Sequence, residues 1–387
     1  METVILDSFG ATLSLTSERL VVRGPKPRRD AVDTDQMWLP FDWPRDPTKL
    51  SILTTSGEKT PPPPLRLTAP KPGAKAPKEE IEIALLRLSE VVIASRGISL
   101  SSDIIEACCE RGIRVSFLGR NGEPFALLSS PMLTATVATR REQILAWGDE
   151  RGAELARAFV TGKLRNQAAL LKYFGKYQKT ASPETFGVIK AAVADIGRAF
   201  GAAKRIEGKN ADEVRPSLMG LEGTAGRAYW KAVRALVPDA AGFGGREHRG
   251  ALDPVNAALN YGYGILYGQV WGAVMNAGLE PFAGYMHVDR PGKPSLVLDL
   301  VEEFRQPIVD RAVLTLFTTG QKVSLDKGML DEASRRLVAS AVLARLSTEA
   351  EFRGRRAEMR SFIQKQSRAV AAFLRGGPRY RAFPFKW

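Results

Sequence analysis

Only two histidines, His248 and His287, occur in the chain, so any chemistry built on imidazole has two choices. His248 lies in GGREHRG, a polar, glycine-rich stretch that reads as a solvated loop. His287 closes the short apolar run of GYMHVDRPGK ahead of a turn, and Glu302 follows fifteen residues later in LVLDLVEEFR. In a helix, Asp299 and Glu302 are three apart and share a face, while Glu303 turns partly away. Val301 and Phe304 bracket Glu302 in a run apolar enough for burial, and a buried carboxylate needs a compensating cation. A metal ion is one such cation. Arg305 is the other, through an ordinary ion pair, and Asp299 is the alternative metal donor in a register shifted by one turn.

Glu222, in LEGTAGRAYWKAV, is the third acidic candidate. It is expected at the head of a helix, where the helix dipole alone would also favour a carboxylate. Gly223, Ala225 and Gly226 leave room for a bulky group there, and Arg227 and Tyr229 are placed to meet a phosphate. One histidine with two carboxylates suits a divalent cation that must also bind phosphate oxygen. Such donors admit Mn²⁺ readily, and Mg²⁺ with several waters retained. The ion would act as a Lewis acid on phosphorus and stabilise attacking or leaving oxygens. A zinc hydrolase is the weaker alternative, since no HExxH motif occurs.

The charge balance points to a compatible substrate. Lys and Arg total 56 against 42 Asp and Glu, a formal charge of +14, which favours a polyanion such as nucleic acid over a merely solvated basic surface. An anionic membrane fits less well, because no basic amphipathic helix with a clean apolar face stands out. Cys108 and Cys109 are the only cysteines and are adjacent. That spacing suits neither a metal site nor an ordinary disulfide, and implies core packing in a reducing compartment. The N-terminus has no basic segment leading into an apolar one, and no window is apolar enough to span a bilayer. A cytoplasmic protein is expected.

The elements that must position these residues fall into two groups. Residues 4–23 read as a strand hairpin of two β-branched runs. Residues 24–78, with four consecutive prolines at 61–64, read as a loop or extended polyproline II segment, with Trp38, Phe41 and Trp43 as a docking point. ALLRLSEVVIAS and RVSFLG read as buried strands flanking a helix over SSDIIEACCERGI, capped by Ser101 or Ser102 and ended by Gly112. NGEPFALLS adds a further strand. Beyond Pro131 apolar residues recur at helical spacing almost to the end, including residues 347–375 with Arg353, Arg355, Arg356 and Arg360. The expected architecture is an α+β multidomain chain. A small N-terminal β-rich, sandwich-like domain spans residues 1–134 with the proline-rich insertion at 24–78, and a larger all-α domain spans 135–387.

The spaced motifs resemble the CRISPR-associated protein 1 family. Glu222-Gly223-Thr224-Ala225-Gly226-Arg227-Ala228-Tyr229-Trp230 matches that family's E-G-x-x-A/G-x-x-Y-(W/F) block. An arginine-bearing stretch with Arg246 and Arg249 then leads into Asp253-Pro254-Val255-Asn256, matching D-P-x-N. Gly284-Tyr285-Met286-His287 and Asp299-Leu300-Val301-Glu302-Glu303-Phe304-Arg305 match the blocks carrying the second and third family ligands. Lys163, Asn166 and Gln167 resemble a G-K-x-x-N-Q block. The ordered blocks span about residues 140–311. Two features depart from the family: the long proline-rich segment, and Glu302 where some relatives carry Asp.

The resemblance implies an integrase of CRISPR adaptation, with endonuclease activity on branched DNA from the same site. Glu222, His287 and Glu302 would be the catalytic metal ligands, for Mg²⁺ or Mn²⁺. Arg227, Tyr229, Arg249 and Arg305 would contact DNA, and Asp253, Asn256 and Asp299 would support the site. The partners implied are double-stranded and branched DNA and a dimer of CRISPR-associated protein 2 flanked by two homodimers of this chain, joined through the β-rich domain. Joining a prespacer 3′-hydroxyl to leader–repeat DNA is a transesterification, so no nucleotide cofactor is implied. Two other readings stay open from the residues. One is a non-catalytic nucleic-acid scaffold whose acids neutralise buried arginines; the other is a structure-specific nuclease or transposon-type integrase outside CRISPR.

Overall fold

The computed structural model describes residues 2–6, 10–24, 52–54, 80–119, 124–128, 136–247 and 252–385. The chain divides into two compact units, Met1–Arg120 with Phe125–Pro131, and Asn121–Pro124 with Met132–Trp387.

Among its described residues, the first unit has two sheets and one α-helix. Strands β2 (Thr12–Thr16) and β3 (Arg19–Arg23) form a hairpin whose two turn residues, Ser17 and Glu18, both have positive φ, as a tight two-residue hairpin requires. β5 (Glu80–Ala84) pairs with β3, and β7 (Ser99–Leu100) runs parallel to β2, completing the order β5-β3-β2-β7. The other sheet has the order β4-β1-β6-β8-β9, from β1 (Glu2–Leu6), β4 (Ile52–Thr54), β6 (Leu88–Ile93), β8 (Arg114–Leu118) and β9 (Pro124–Leu128). Helix α1 (Ser102–Glu110), capped by Ser101, links the parallel strands β6 and β8. Both sheets and α1 contribute to one apolar core, including Leu6, Leu20, Val91, Ile104 and Val115. Cys108 belongs to that core, where burial and the neighbouring Cys109 push its thiol up to about 11.

Two expectations change here. The run Val4-Ile5-Leu6 does not pair with the strand at residues 19–23. It is buried on both faces, as an interior strand must be, and lies between β4 and the parallel β6. Within the proline-rich segment, residues 52–54 form β4, antiparallel to β1, instead of a loop. The rest of that segment, with Trp38, Phe41 and Trp43, lies outside the described residues.

The second unit is helical: α2 (Thr136–Leu145), α3 (Glu150–Ala181), α4 (Pro183–Arg205), α5 (Ala211–Leu236), α6 (Pro254–Asn276), α7 (Ser295–Val301), α8 (Arg311–Thr318), α9 (Glu332–Ser347) and α10 (Met359–Leu374). Side-chain caps start most of the long ones: Asp149 for α3, Ser182 for α4, Asn210 for α5, Asp253 for α6 and Asp331 for α9. α6 is buried around its circumference and packs on α7, α9 and α10. α3, α4 and α5 pack on one another, and α3 also meets α7. A π-helical turn, Arg305–Asp310, joins α7 to α8 at Pro307, whose missing N–H weakens regular helical bonding.

Residues 347–375 are not continuous helix. Between α9 and α10 lies a hairpin, β12 (Glu349–Phe352) and β13 (Arg355–Glu358), which follows a smaller one of β10 (Leu325–Asp326) and β11 (Met329–Leu330) before α9. Arg353 and Gly354 both have positive φ and close a two-residue turn, while Phe352 packs on Phe362 and Phe383. Those tertiary contacts override the helix-forming Glu, Ala and Arg residues of the segment. Among the described residues no helix is long and apolar enough to cross a membrane.

Candidate active site

Asp299 on α7 organises the histidine. It is fully buried, and its carboxylate collects the backbone N–H groups of Tyr285 at 2.6 Å, Met286 at 3.0 Å and His287 at 2.9 Å. The same oxygen that receives the His287 amide lies 2.8 Å from Nδ1 of that ring, so Nδ1–H donates to it and Nε2 remains for a ligand or proton. Gly284 must be glycine: a Cβ there would lie 2.5 Å from the Ser295 carbonyl carbon and 2.8 Å from Asp299 Oδ2. The Gly-Tyr-Met-His turn is thereby seated on the start of α7. Burial works against charging His287, yet the Asp299 hydrogen bond and the charges of Asp299, Glu302 and Glu222 hold its pKa above the ordinary value. Asp299 is thus an orienting residue for His287.

Glu302 follows α7 directly and is only 6% exposed. One oxygen accepts from Arg305 at 2.7 Å; the other lies 2.8 Å from Nζ of Lys163, which rises from α3. Lys163 also donates to Glu222 Oε1. Glu222 sits in the middle of α5, not at a helix head, because the helix starts eleven residues earlier at Ala211 and runs through Pro216. The helix-dipole account of Glu222 is therefore removed. Burial alone would raise the Glu302 pKa, but Arg305, Lys163 and His287 hold it at about 2. The two glutamates in turn outweigh burial at Lys163 and raise its pKa.

A layer of side chains fixes Arg305 from behind. Its guanidinium lies 4.5 Å from the Tyr263 ring centre. Tyr263 and Tyr229 both donate their hydroxyls to Asp310, the latter at 2.6 Å. Burial keeps the Asp310 pKa raised despite these donors. Tyr229 is fully buried with its hydroxyl committed, so the expected phosphate contact there gives way to a structural role. Asp253 caps α6 through the Asn256 amide, and Asn256 holds the preceding loop through Gly245 O, Glu247 N and Arg246. This is the physical content of the D-P-x-N motif. Arg227 is exposed and bonds Thr224; Arg249 and His248 lie outside the described residues.

Three carboxylate and imidazole groups have thus been brought into one electrostatic neighbourhood by α5, the 284–287 turn and the end of α7. Among the described residues no three His, Cys, Asp or Glu side chains are already gathered at metal-ligand distance. The Lys163 ammonium instead stands between Glu222 and Glu302, marking the position where these two acids meet a cation. Oε2 of Glu302 is buried, and among the described residues no well-directed hydrogen bond reaches it beside that ion pair. Two converging carboxylates and an imidazole with a free Nε2 are a donor set that fits a divalent cation. The role of Lys163, in an ordinary amphipathic helix 59 residues before its partner Glu222, is not legible from spacing; only its place in the G-K-x-x-N-Q block marks it.

The family model described as CRISPR associated protein Cas1 matches residues 74–343, well over half the chain. The chain belongs to the Cas1 family. Among its relatives, CRISPR-associated endonuclease Cas1 1 of Archaeoglobus fulgidus is 40% identical over 312 residues, covering 78% of this chain and 90% of the relative. The Korarchaeum cryptofilum CRISPR-associated endonuclease Cas1 is 33% identical, over 77% and 88%. Solved structures share the fold: a casposase bound to integration product, at TM-score 0.72 and 20% identity, covers 100% of this chain and 96% of that one. A Cas1 protein from Thermotoga maritima has TM-score 0.67 and 18% identity, with 98% and 99% covered. The Cas1 match opens at residue 74, so most of the proline-rich segment precedes it.

Proposed function

We propose that this Cas1 chain is a metal-dependent CRISPR adaptation integrase that joins prespacer 3′-hydroxyl ends to leader–repeat DNA and cleaves branched DNA with the same residues. The observation that carries the reading is the convergence of Glu222 and Glu302, from separate helices, on one cation position beside the Asp299-held His287. The names of the Archaeoglobus and Korarchaeum relatives, both endonucleases, support it. In strand transfer the 3′-oxygen forms a new bond to phosphorus as the bond at the repeat boundary breaks. The hydroxyl's proton leaves, the departing oxygen gains one, and the number of phosphodiesters is unchanged.

Glu222, Glu302 and Nε2 of His287 would hold Mg²⁺ or Mn²⁺, which would supply Lewis-acid stabilisation of charge on the phosphoryl oxygens. Asp299 fixes the ring so that Nε2 is presented. Arg305, held by Tyr263 and Glu302, adds positive charge where the phosphate gains negative charge, and such preorganised charge is worth orders of magnitude in rate. Lys163, displaced from between the glutamates, is a second cation for the same phosphate. Partner assembly would follow the family pattern, with homodimers of this chain flanking a dimer of Cas2 in the cytoplasm; a chain of a Cas6-RT-Cas1–Cas2 complex shares the fold at TM-score 0.64 and 17% identity.

The test is a half-site integration assay with purified protein, Cas2, labelled prespacer and a repeat-bearing plasmid. Joined product is expected with Mg²⁺ or Mn²⁺ and none with EDTA or with Glu222→Ala. Equal product from that variant would remove the Glu222 site from catalysis and leave this chain as a nucleic-acid scaffold for a reaction carried out elsewhere.

A further inference from the structure

A second charged region lies on the neighbouring face of α3. Residues Arg157, Arg165, Lys204, Arg379 and Arg381 line a cleft of about 300 Å³ in which Glu154 is the one acidic lining residue among those described. Glu154 is taken by Arg379 at 3.1 Å. Arg157 donates to the Ile206 carbonyl at 2.6 Å, and Arg165 and Lys204 lie over the Phe200 ring. Among the described residues no carboxylate pairs with Arg165, Lys204 or Arg381. Like charges brought this close repel, and an anion in the cleft relieves that repulsion.

The cleft is held in shape before any ligand arrives. Arg379 and Arg381 point out of a strip whose Tyr380 and Phe383 are buried. Tyr380 donates to Glu303 at 2.5 Å, the Phe383 amide donates to the same carboxylate at 2.8 Å, and Asn166 on α3 holds the Phe383 carbonyl at 2.9 Å. The strip lies so close to α3 that a Cβ on Gly162 would meet the Ala382 methyl at 2.5 Å. The backbone that carries Arg379 and Arg381 is therefore set before binding, with their exposed side chains lining the cleft.

We propose that this cleft binds consecutive backbone phosphates of a DNA strand whose reacting end is held by the Glu222–Glu302 site, a proposal that rests on the integrase reading. Gly162 lines the cleft, and the next residue, Lys163, joins the two glutamates, so one helix diameter of about 10 Å separates the two places. That is roughly three base steps of rise along a B-form duplex axis. Tyr380 is the one aromatic among the described lining residues and it is buried, so no aromatic face is open there for base stacking. The cleft therefore meets the backbone, independently of sequence.

The experiment measures duplex affinity against salt for the full-length wild type and the triple variant Arg165→Gln, Lys204→Gln and Arg381→Gln. Removing one phosphate-neutralising cation lowers the slope of log K against log salt by about 0.9, so a fall of about 2 to 3 is expected, with Mn²⁺ binding kept. An unchanged slope in a variant that melts like wild type overturns the proposal. A parallel chain with p-benzoylphenylalanine in place of Ala158, which lines the cleft, is expected to photocrosslink to DNA, and no crosslink overturns it even where the triple variant fails to fold. Absence of salt-dependent DNA binding by wild type would instead sink the integrase reading itself.

Discussion

Glu302 and Glu303 are neighbours in the chain and are both buried, yet they do opposite things. Glu302 faces cations: Arg305 and Lys163 hold it ionised, at about 2. Glu303 faces the core, where Gln366, Tyr380 and the Phe383 amide are its partners. Burial pushes Glu303 up to about 7 despite those three donors. Burial acts on both acids, and the cations beside Glu302, which Glu303 lacks, make the difference between them. One acid is kept charged for a cation; its neighbour ties the 380–383 strip to the helical core.

The comparison breaks most sharply through substitution. Glu222→Ala, His287→Ala and Glu302→Ala should each lower strand transfer by about 10³-fold or more, since each removes a donor or charge from the reacting phosphate's surroundings. Glu303→Gln keeps the shape of the core clamp and should retain activity within a few-fold. Loss of activity in Glu303→Gln with an unchanged melting temperature would place the catalytic acid one residue later than argued.

Lys163→Met tests the cationic side. Two acids would be left facing one another without their ammonium, and the metal-free protein should lose about 3 kcal/mol of stability. Added Mn²⁺ should restore much of that stability, measured as a rise in melting temperature larger than that of wild type. An equal Mn²⁺ response in both proteins would mean that Lys163 and the ion do not share a position.

pH sharpens the core side. Glu303 holds its proton more tightly in the folded chain, at about 7, than at the ordinary 4.5 of an unfolded glutamic acid. The folded state therefore binds more protons between those values. This contribution to stability is fully present below about pH 4.5 and is lost as pH rises through 7, on the order of 3 kcal/mol in all. Urea midpoints at pH 5 and pH 8 should differ less in Glu303→Gln than in wild type.

How much of this is legible in the sequence depends on distance along the chain. His287, Asp299 and Glu302 lie within sixteen residues, and helical spacing is enough to put Asp299 and Glu302 on one face. Glu222 is recognisable by its motif, but its mid-helix position is not, because Pro216 inside α5 disguises where the helix begins. The Glu303 clamp is hidden, since Tyr380 comes 77 residues later and only tertiary folding brings the two together. The residues at 349–358 favour helix locally, while the turn at Arg353-Gly354 and the packing of Phe352 decide for a hairpin.

The smallest expected effect concerns the layer behind Arg305. Tyr229→Phe removes one of two hydroxyls on Asp310 and should cost about 1 to 3 kcal/mol of stability. DNA affinity at fixed salt should be unchanged, because that hydroxyl is buried. Weaker DNA binding in a fully folded Tyr229→Phe protein would restore the phosphate contact expected from the motif.

The central claim is that Glu222, His287 and Glu302 together hold one divalent cation, and direct Mn²⁺ binding followed by electron paramagnetic resonance tests it most simply. One bound ion per chain is predicted for wild type and for Glu303→Gln, with binding weakened at least tenfold in Glu222→Gln, His287→Ala and Glu302→Gln. Undiminished binding in those three variants, or none in wild type, would contradict the account.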